Sequence, residues 1–132
     1  MLRVGNISIV KVTKWRLSKV EHIKHAEAER FKGEGITSFE YSTSSEQMNM
    51  ALIRVNGRHP AEGYISNDVY DSLVQVVQGR GVLGMSDGAE LPIVNGDQVH
   101  LEVGDIYYFE GNMQLVYAAS PPWTPEQSVP HN

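Results

Sequence analysis

Five histidines are the side chains of this 132-residue sequence that exchange protons most readily near neutral pH. His22 and His25 are three residues apart in a segment predicted to be helical, so they would share one helix face, a spacing that can bind a metal ion. No third ligand accompanies them, and we expect a solvated face instead. His59 precedes Pro60 in a predicted turn, where we expect a structural role. His131 lies in a C-terminal tail that we expect to fray.

His100 alternates with Val99 and Leu101 on a predicted strand, so its side chain points to the opposite face from theirs. That face is either an interior cavity or the outer surface, and the sequence leaves both open. A packed or surface histidine is the simpler interpretation.

Aromatic side chains form a second group, and one carboxylate, Asp68, accompanies them. Aromatic walls with a few hydroxyls suit a small, partly apolar ligand. Alternatively, the tyrosines fill the interior and satisfy their hydroxyls locally. The group comprises Tyr64, Tyr70, Tyr107, Tyr108 and Phe109. No Gly-x-Ser-x-Gly elbow, phosphate loop or paired carboxylates on one strand face indicate another catalytic site.

Composition excludes several classes of function. The chain has no cysteine, which excludes disulfides, zinc–thiolate sites and thiol nucleophiles. A net charge of −5 disfavours nucleic acid and anionic membranes as partners, because both need a basic face. No apolar run approaches the roughly 20 residues needed to span a bilayer. The opening MLRVGNISIVKV predicts a strand, not a signal peptide, so we expect a cytoplasmic protein.

The elements that must position these residues fall into two regions of one predicted domain spanning 1–132. The N-terminal extension, 1–47, contains a predicted strand over Ile7–Val12, a helix over Lys19–Lys32 capped by Ser18 and Glu21, and a strand over Ile36–Tyr41. The barrel, 48–120, has short strands separated by glycine turns. Those strands are Met48–Val55, Leu73–Val77, Val82–Met85, Leu91–Val94, Val99–Val103, Ile106–Phe109 and Met113–Ala118.

Glycine-containing sequences mark the predicted turns of the barrel region. These turns are Asn56-Gly57, Gly79-Arg80-Gly81, Ser86-Asp87-Gly88 and Asn95-Gly96-Asp97. The proline-rich tail, 121–132, is expected to run extended over the surface. Trp123 would hold it there by burying its indole ring.

Two stretches resemble the paired motifs of the cupin family. GYISNDVYDSLVQVVQGRG is similar to G-x5-HxH-x3-4-E-x6-G, with Ser72 at the glutamate position and six residues between it and the glycine Gly79. GDQVHLEVGDIYYFEGN is similar to G-x5-P-x-G-x2-H-x3-N, with Glu102 at the proline position, Gly104 in place and Tyr107 at the histidine position. The resemblance covers about residues 48–127. It implies an all-β fold, a cupin-type jelly-roll β-barrel carrying the short N-terminal strand and helix.

The departures from those motifs concern the metal ligands. The resemblance implies Fe, Mn, Ni or Zn bound by three histidines and a glutamate, yet no histidine lies among Ile65–Asp68, where the first two would fall. A serine hydroxyl and a neutral phenol are poor replacements for carboxylate and imidazole. We therefore expect no metal and no cofactor.

The resemblance places the two motifs on facing strands, so Tyr70 and Tyr107 are expected to meet inside the barrel. The leading hypothesis is a metal-independent cupin, a homodimer, that binds a small molecule there. The expected interior ligand-binding residues are Tyr64, Asp68, Tyr70, Ser72, His100, Tyr107 and Phe109. One alternative is a metal-dependent dioxygenase, isomerase or epimerase in which His100 and Asp68 converge. Another is a structural or partner-binding barrel that holds no ligand.

Overall fold

The computed structural model describes residues 20–132, and these form an all-β fold, as predicted. Within that range the helical structure consists of two short 3-10 turns, His25–Glu27 and Pro125–Gln127. The nine strands, β1 to β9, are Glu29–Gly33, Ile36–Tyr41, Asn49–His59, Tyr64–Asn67, Asp71–Met85, Glu90–Val94, Gln98–Leu101, Tyr107–Ser120 and Ser128–His131.

The strands form one curled antiparallel sheet built around β8. β8 pairs with β3 on one side and with β5 on the other. β2 and β1 extend the sheet beyond β3, whereas β7 and β6 pair with successive parts of β5. β4 pairs with the start of β8 and with β9, so the C-terminal strand belongs to the same sheet.

Period-two alternation decides which side chains enter the interior. Along β8, Met113, Leu115, Tyr117 and Ala119 are buried, and the residues between them are more exposed. The interior has two parts. The aliphatic half is almost fully shielded from solvent and is defined by Val55, Val74, Val76, Ile93, Met113 and Leu115. The other half contains a cavity.

The predicted helix over Lys19–Lys32 is wrong. Residues Glu29–Gly33 form β1 instead, paired with β2. The helix propensity of Lys, Glu and Ala is weak compared with a strand ladder that pairs five residues. Glu21 caps no helix, because its carboxylate accepts hydrogen bonds from the backbone N–H and hydroxyl of Ser44. Ser18 and the predicted strand Ile7–Val12 lie outside the described residues.

Two of the predicted glycine turns are also wrong, because the strands run straight through them. Gly57 lies inside β3, opposite Gly111 of β8, and Gly79 lies inside β5. A Cβ on Gly79 would stand 2.2 Å from the carbonyl oxygen of Asn112, so glycine permits close approach of the two backbones. The strands predicted over Leu73–Val77 and Val82–Met85 are therefore one strand, β5. Those predicted over Ile106–Phe109 and Met113–Ala118 likewise join into β8, which begins at Tyr107.

The turns at 86–88 and 95–97 are confirmed, as are the strands over Ile36–Tyr41 and Leu91–Val94. The C-terminal tail is more ordered than predicted. Its residue His131 pairs with Tyr64, so that end forms a strand and does not fray. Trp123 packs against the core, and its ring contacts Phe31 edge-on at 5.3 Å between centroids, as the role predicted for it requires. No helix in residues 20–132 is long and apolar enough to cross a membrane.

Candidate active site in the barrel interior

A cavity of about 90 Å³ lies between the inner faces of β2, β3 and β8 and the C-terminal segment. Its walls are mainly apolar, with a few polar groups that converge on one space, which is the usual make-up of a small-molecule site. The lining residues are Ile36, Ser38, Glu40, Asn49, Ala51, Ile53, His59, Ile65, Tyr70, Tyr107, Phe109, Tyr117, Ala119, Trp123 and Ser128.

Three buried tyrosine hydroxyls meet at the base of the cavity. The Tyr117 hydroxyl lies 3.2 Å from that of Tyr70 and 3.3 Å from that of Tyr107. Burial raises the pKa of Tyr70 and of Tyr107 well above the ordinary phenol value, so both stay protonated. The two contacts among these three hydroxyls use two of their three protons. The third proton is available for a hydrogen bond to a ligand.

Glu40 is the one buried carboxyl among the described residues, and it reaches the cavity from β2. Strand alternation turns Ser38 and Glu40 inward together. The Ser38 hydroxyl donates to Oε2 at 2.5 Å, and the Asn49 amide donates to Oε1 at 3.1 Å. Burial raises the pKa of Glu40 above the usual carboxyl value, although these two hydrogen bonds oppose the shift.

His59, the last residue of β3, lines the same cavity and is half-buried. Burial lowers its pKa below the usual imidazole value, and a hydrogen bond to the backbone of Glu34 opposes that shift. The nitrogen that donates to this carbonyl keeps its proton, so the other nitrogen of the neutral ring has a free lone pair. Near neutral pH the cavity therefore holds a base and a carboxyl that retains its proton more strongly than usual.

The C-terminal segment lines part of the cavity and is tied to Glu40 through one residue. The Asn49 side chain donates to Glu40, and its Oδ1 accepts the backbone N–H of Trp123 at 3.1 Å. Ser128, at the start of β9, is a second lining residue from this segment. The orientation of the carboxyl is thus coupled to the position of Trp123.

Of the residues expected from the sequence to bind a ligand, Tyr70, Tyr107 and Phe109 lie on the cavity wall. Ser72 is buried just behind it, beside a gap of about 10 Å³ that it shares with Tyr70 and Tyr107.

The other three expected residues lie outside the cavity. Tyr64 packs against the Tyr108 ring at 5.8 Å between centroids. Asp68 is exposed and accepts a hydrogen bond from Ser66 at 3.2 Å. His100 is exposed on β7, because the pleat turns it outward. The alternative in which His100 and Asp68 converge on an interior site is therefore wrong.

Sequence reasoning missed Glu40, Asn49 and Tyr117 and assigned His59 a structural role only. In ITSFEY the apolar-inward rule turns Phe39 and Tyr41 toward the core, whereas the structure turns Ser38 and Glu40 inward. The alternation itself was visible; which of the two faces points inward was not.

The side chains at the cupin metal positions do not fit a metal ion. Ser72 and Tyr107 are buried but offer only hydroxyls, and the Tyr107 hydroxyl already contacts Tyr117. Across residues 20–132, no group of three or more histidine, aspartate or glutamate side chains comes together in a way that could hold a metal. Glu40 and His59 share a cavity, yet two protein ligands are one short of the usual three in a catalytic site.

Comparisons with known structures identify the fold. The chain is similar to Pac13, a nucleoside dehydratase from Streptomyces solved with uridine, with a TM-score of 0.77, 18% identity and coverage of 86% of this chain and 92% of that one. It is also similar to ectoine synthase from P. lautus (TM-score 0.66, 16% identity, covering 86% and 89%). KdgF from Halomonas sp. is a third similar structure, with a TM-score of 0.61, 13% identity and coverage of 82% of this chain and 98% of that one. All three are cupin-fold proteins, so this chain has the cupin fold expected from its motifs. No family model and no curated protein sequence matches the chain.

Proposed function

We propose that this cupin-fold chain binds a small hydroxy-carbonyl compound in its interior and catalyses proton transfer on it without a metal ion. One observation carries the proposal: Glu40 and His59 line the same cavity, where burial raises the pKa of Glu40 and lowers that of His59, so that both groups favour their uncharged forms. Pairs of titratable groups tuned by their environment are the usual mark of general acid–base catalysis.

The reaction class that best fits these groups is elimination of water from a β-hydroxy carbonyl compound. The free nitrogen of neutral His59 removes the proton on the carbon beside the carbonyl, and the electron pair of that C–H bond becomes the new C=C bond. The C–O bond breaks, and the departing hydroxide takes the proton of Glu40 to leave as water. Solvent then returns a proton to Glu40 and removes one from His59, so the cycle balances.

The tyrosine hydroxyls supply the remaining requirement. Negative charge develops on the carbonyl oxygen as the proton is removed, and a preorganised donor at that oxygen lowers the barrier. The hydroxyl proton left free by the Tyr70–Tyr117–Tyr107 contacts is such a donor. Pac13 is a dehydratase, and dehydration is acid–base chemistry, so its likeness in fold is compatible with this proposal.

A four-carbon β-hydroxy ketone is a probe of suitable size, and in deuterated water it separates the two catalytic roles. Deuterium incorporation beside the carbonyl, followed by NMR, reports proton removal. A thiol trap for the unsaturated product reports loss of water. We expect both reactions to run faster with the protein than in buffer.

The variants His59→Gln and Glu40→Gln separate removal of the proton from loss of water. His59→Gln should abolish both readouts, whereas Glu40→Gln should keep deuterium incorporation and lose about 10²-fold or more in elimination, the usual worth of a general acid. His100→Gln is the matched control, since it removes an exposed imidazole from the outer face. Equal incorporation by wild type and His59→Gln would refute His59 as the base.

A further inference from the structure

We propose that the portion of the ligand inside the cavity is uncharged, a hydroxyl with an aldehyde, ketone or amide carbonyl, and that carboxylates and phosphates are rejected. This deepens the function proposed above, because it takes the same cavity as the ligand site. It concerns binding only and can be tested without turnover.

Among residues 20–132, no lysine or arginine lines the cavity to pair with an anionic ligand. Recognition of carboxylate or phosphate normally relies on such a partner, above all on arginine.

The described arginines nearest in sequence to the lining residues are held elsewhere. Arg58 stacks at 3.9 Å from the centroid of the Tyr108 ring and donates to the carbonyl of Pro60. Arg30 and Arg54 lie over the ring of Phe39, on the outer face of β2. Each guanidinium already has a stacking partner away from the cavity.

The groups that do face the cavity select against negative charge. The protonated Glu40 carboxyl offers an anion no charge to pair with, and wherever that group ionises its carboxylate repels the anion at short range in a medium less polar than water. His59 is neutral near physiological pH, since burial lowers its pKa. The hydroxyls and amide that remain, from Ser38, Asn49 and the tyrosines, match the donors and acceptors of a neutral hydroxy-carbonyl group.

Long-range electrostatics act in the same direction. In the printed sequence, residues 20–132 hold all 16 acidic side chains and six of the 11 basic ones, since Arg3, Lys11, Lys14, Arg16 and Lys19 precede them. The described residues thus carry an excess of ten negative charges, 16 minus 6, and the whole chain carries an excess of five, so its field lowers the local concentration of anions.

Lactamide and lactate test the inference, because they have the same number of non-hydrogen atoms and differ in charge. Titration near pH 8, followed through backbone amide resonances around the cavity, gives both affinities. We expect lactamide to bind at least about tenfold more tightly, and Glu40→Gln to narrow that ratio by improving lactate binding. His100→Gln should leave the ratio unchanged.

Equal or tighter binding of lactate would overturn the inference, and so would the absence of binding by both compounds up to about 50 mM. The deuterium experiment fails independently. Lactamide selectivity without exchange would remove the catalytic proposal and keep the charge selectivity. Deuterium exchange together with a preference for lactate would remove the charge selectivity and keep the catalytic proposal.

Discussion

The aliphatic half and the cavity half of the barrel interior are built on the same strands, but the cavity half adds polar side chains to its apolar walls, whereas the residues that define the aliphatic half are all apolar. On β3, Val55 belongs to the aliphatic half, and Ala51 borders the cavity. On β8, Met113 and Leu115 lie in the first half, and Tyr117 lies in the second. Moving along one strand by a few residues is therefore enough to pass from dense hydrocarbon to a polar network.

This contrast shows how a small barrel can be stable and still hold ionisable groups in its interior. The aliphatic half supplies hydrophobic burial without polar atoms that need partners. The cavity half places a carboxyl, an imidazole and the phenols of Tyr70 and Tyr107 where water is limited, which shifts their pKa values. Hydrophobic burial at the other end of the same strands offsets the unfavourable free energy of burying those polar groups.

The largest expected effect comes from opening the aliphatic half. Leu115 is 0% exposed, so Leu115→Ala should destabilise the protein by about 2–5 kcal/mol in urea unfolding, through lost burial plus the cavity left behind. Ile36→Ala is the counterpart in the cavity half. Ile36 is only half-buried and borders space that already exists, so we expect a loss of about 1 kcal/mol. Equal losses would show that the two halves are packed alike.

The next effect concerns the tyrosine hydroxyls. Tyr117→Phe removes the shared partner of the Tyr70 and Tyr107 hydroxyls, and leaving buried hydroxyls unsatisfied should cost roughly 1–3 kcal/mol of unfolding free energy. Tyr70→Phe deletes one contact and leaves the Tyr107–Tyr117 contact intact, so its cost should be nearer about 1 kcal/mol. A Tyr70→Phe variant less stable than Tyr117→Phe would place the centre of the network elsewhere.

A pH-dependent effect follows from the buried carboxyl. Because the pKa of Glu40 is raised in the folded protein, the folded state holds this proton more tightly than the unfolded chain does. Its contribution to stability is therefore full below the unfolded carboxyl pKa and is lost as pH rises through the folded value. Glu40→Gln should remove that decline. Unfolding free energies of both proteins, measured in urea from acid to mildly alkaline pH, should converge toward low pH and diverge in favour of the variant at high pH.

His59 contributes in the opposite direction. Its pKa is lowered in the folded state, so the unfolded chain binds the proton more tightly, and stability is lost as pH falls below the unfolded imidazole pKa. In a plot of unfolding free energy against pH, His59→Gln should flatten the decline at acid pH (the acid limb) and leave the decline at alkaline pH (the alkaline limb) unchanged. If the two variants altered the same limb, the assignment of opposite shifts to these groups would be wrong.

Much of the fold was predictable from the sequence because its signals are local or follow a fixed spacing. The turns at 86–88 and 95–97 and the strand Ile36–Tyr41 follow from turn residues and alternation. Gly57 and Gly79 were wrongly predicted to lie in turns. A turn and a close approach of two strands both need a residue without Cβ, and only the partner strand distinguishes them. The helix predicted over Lys19–Lys32 failed for the same reason, since pairing with β2 lies outside a propensity argument.

The site was less predictable, since it joins residues far apart in the chain. Tyr70, Tyr107 and Phe109 were located by motif spacing, which fixes their positions on the barrel strands. Glu40 and His59 come from strands that flank the motifs, and their burial depends on which face of β2 and which end of β3 turn inward. Burial and pairing decide their pKa values, and a single sequence contains neither.

The smallest expected effect tests the outer face, the third environment of these strands. His100 alternates with buried Leu101 on β7, so the sequence allowed it to face a cavity, and the structure exposes it. His100→Gln should change the unfolding free energy by no more than about 0.5 kcal/mol, as is usual for exposed positions. The stability profile between acid and neutral pH should also match that of wild type, because the substitution leaves the side chains of the cavity half unchanged. If His100→Gln altered the loss of stability at acid pH as His59→Gln does, the outer face would also bury a proton-binding group. The difference between the two halves would then no longer explain where the pKa values of ionisable side chains are shifted.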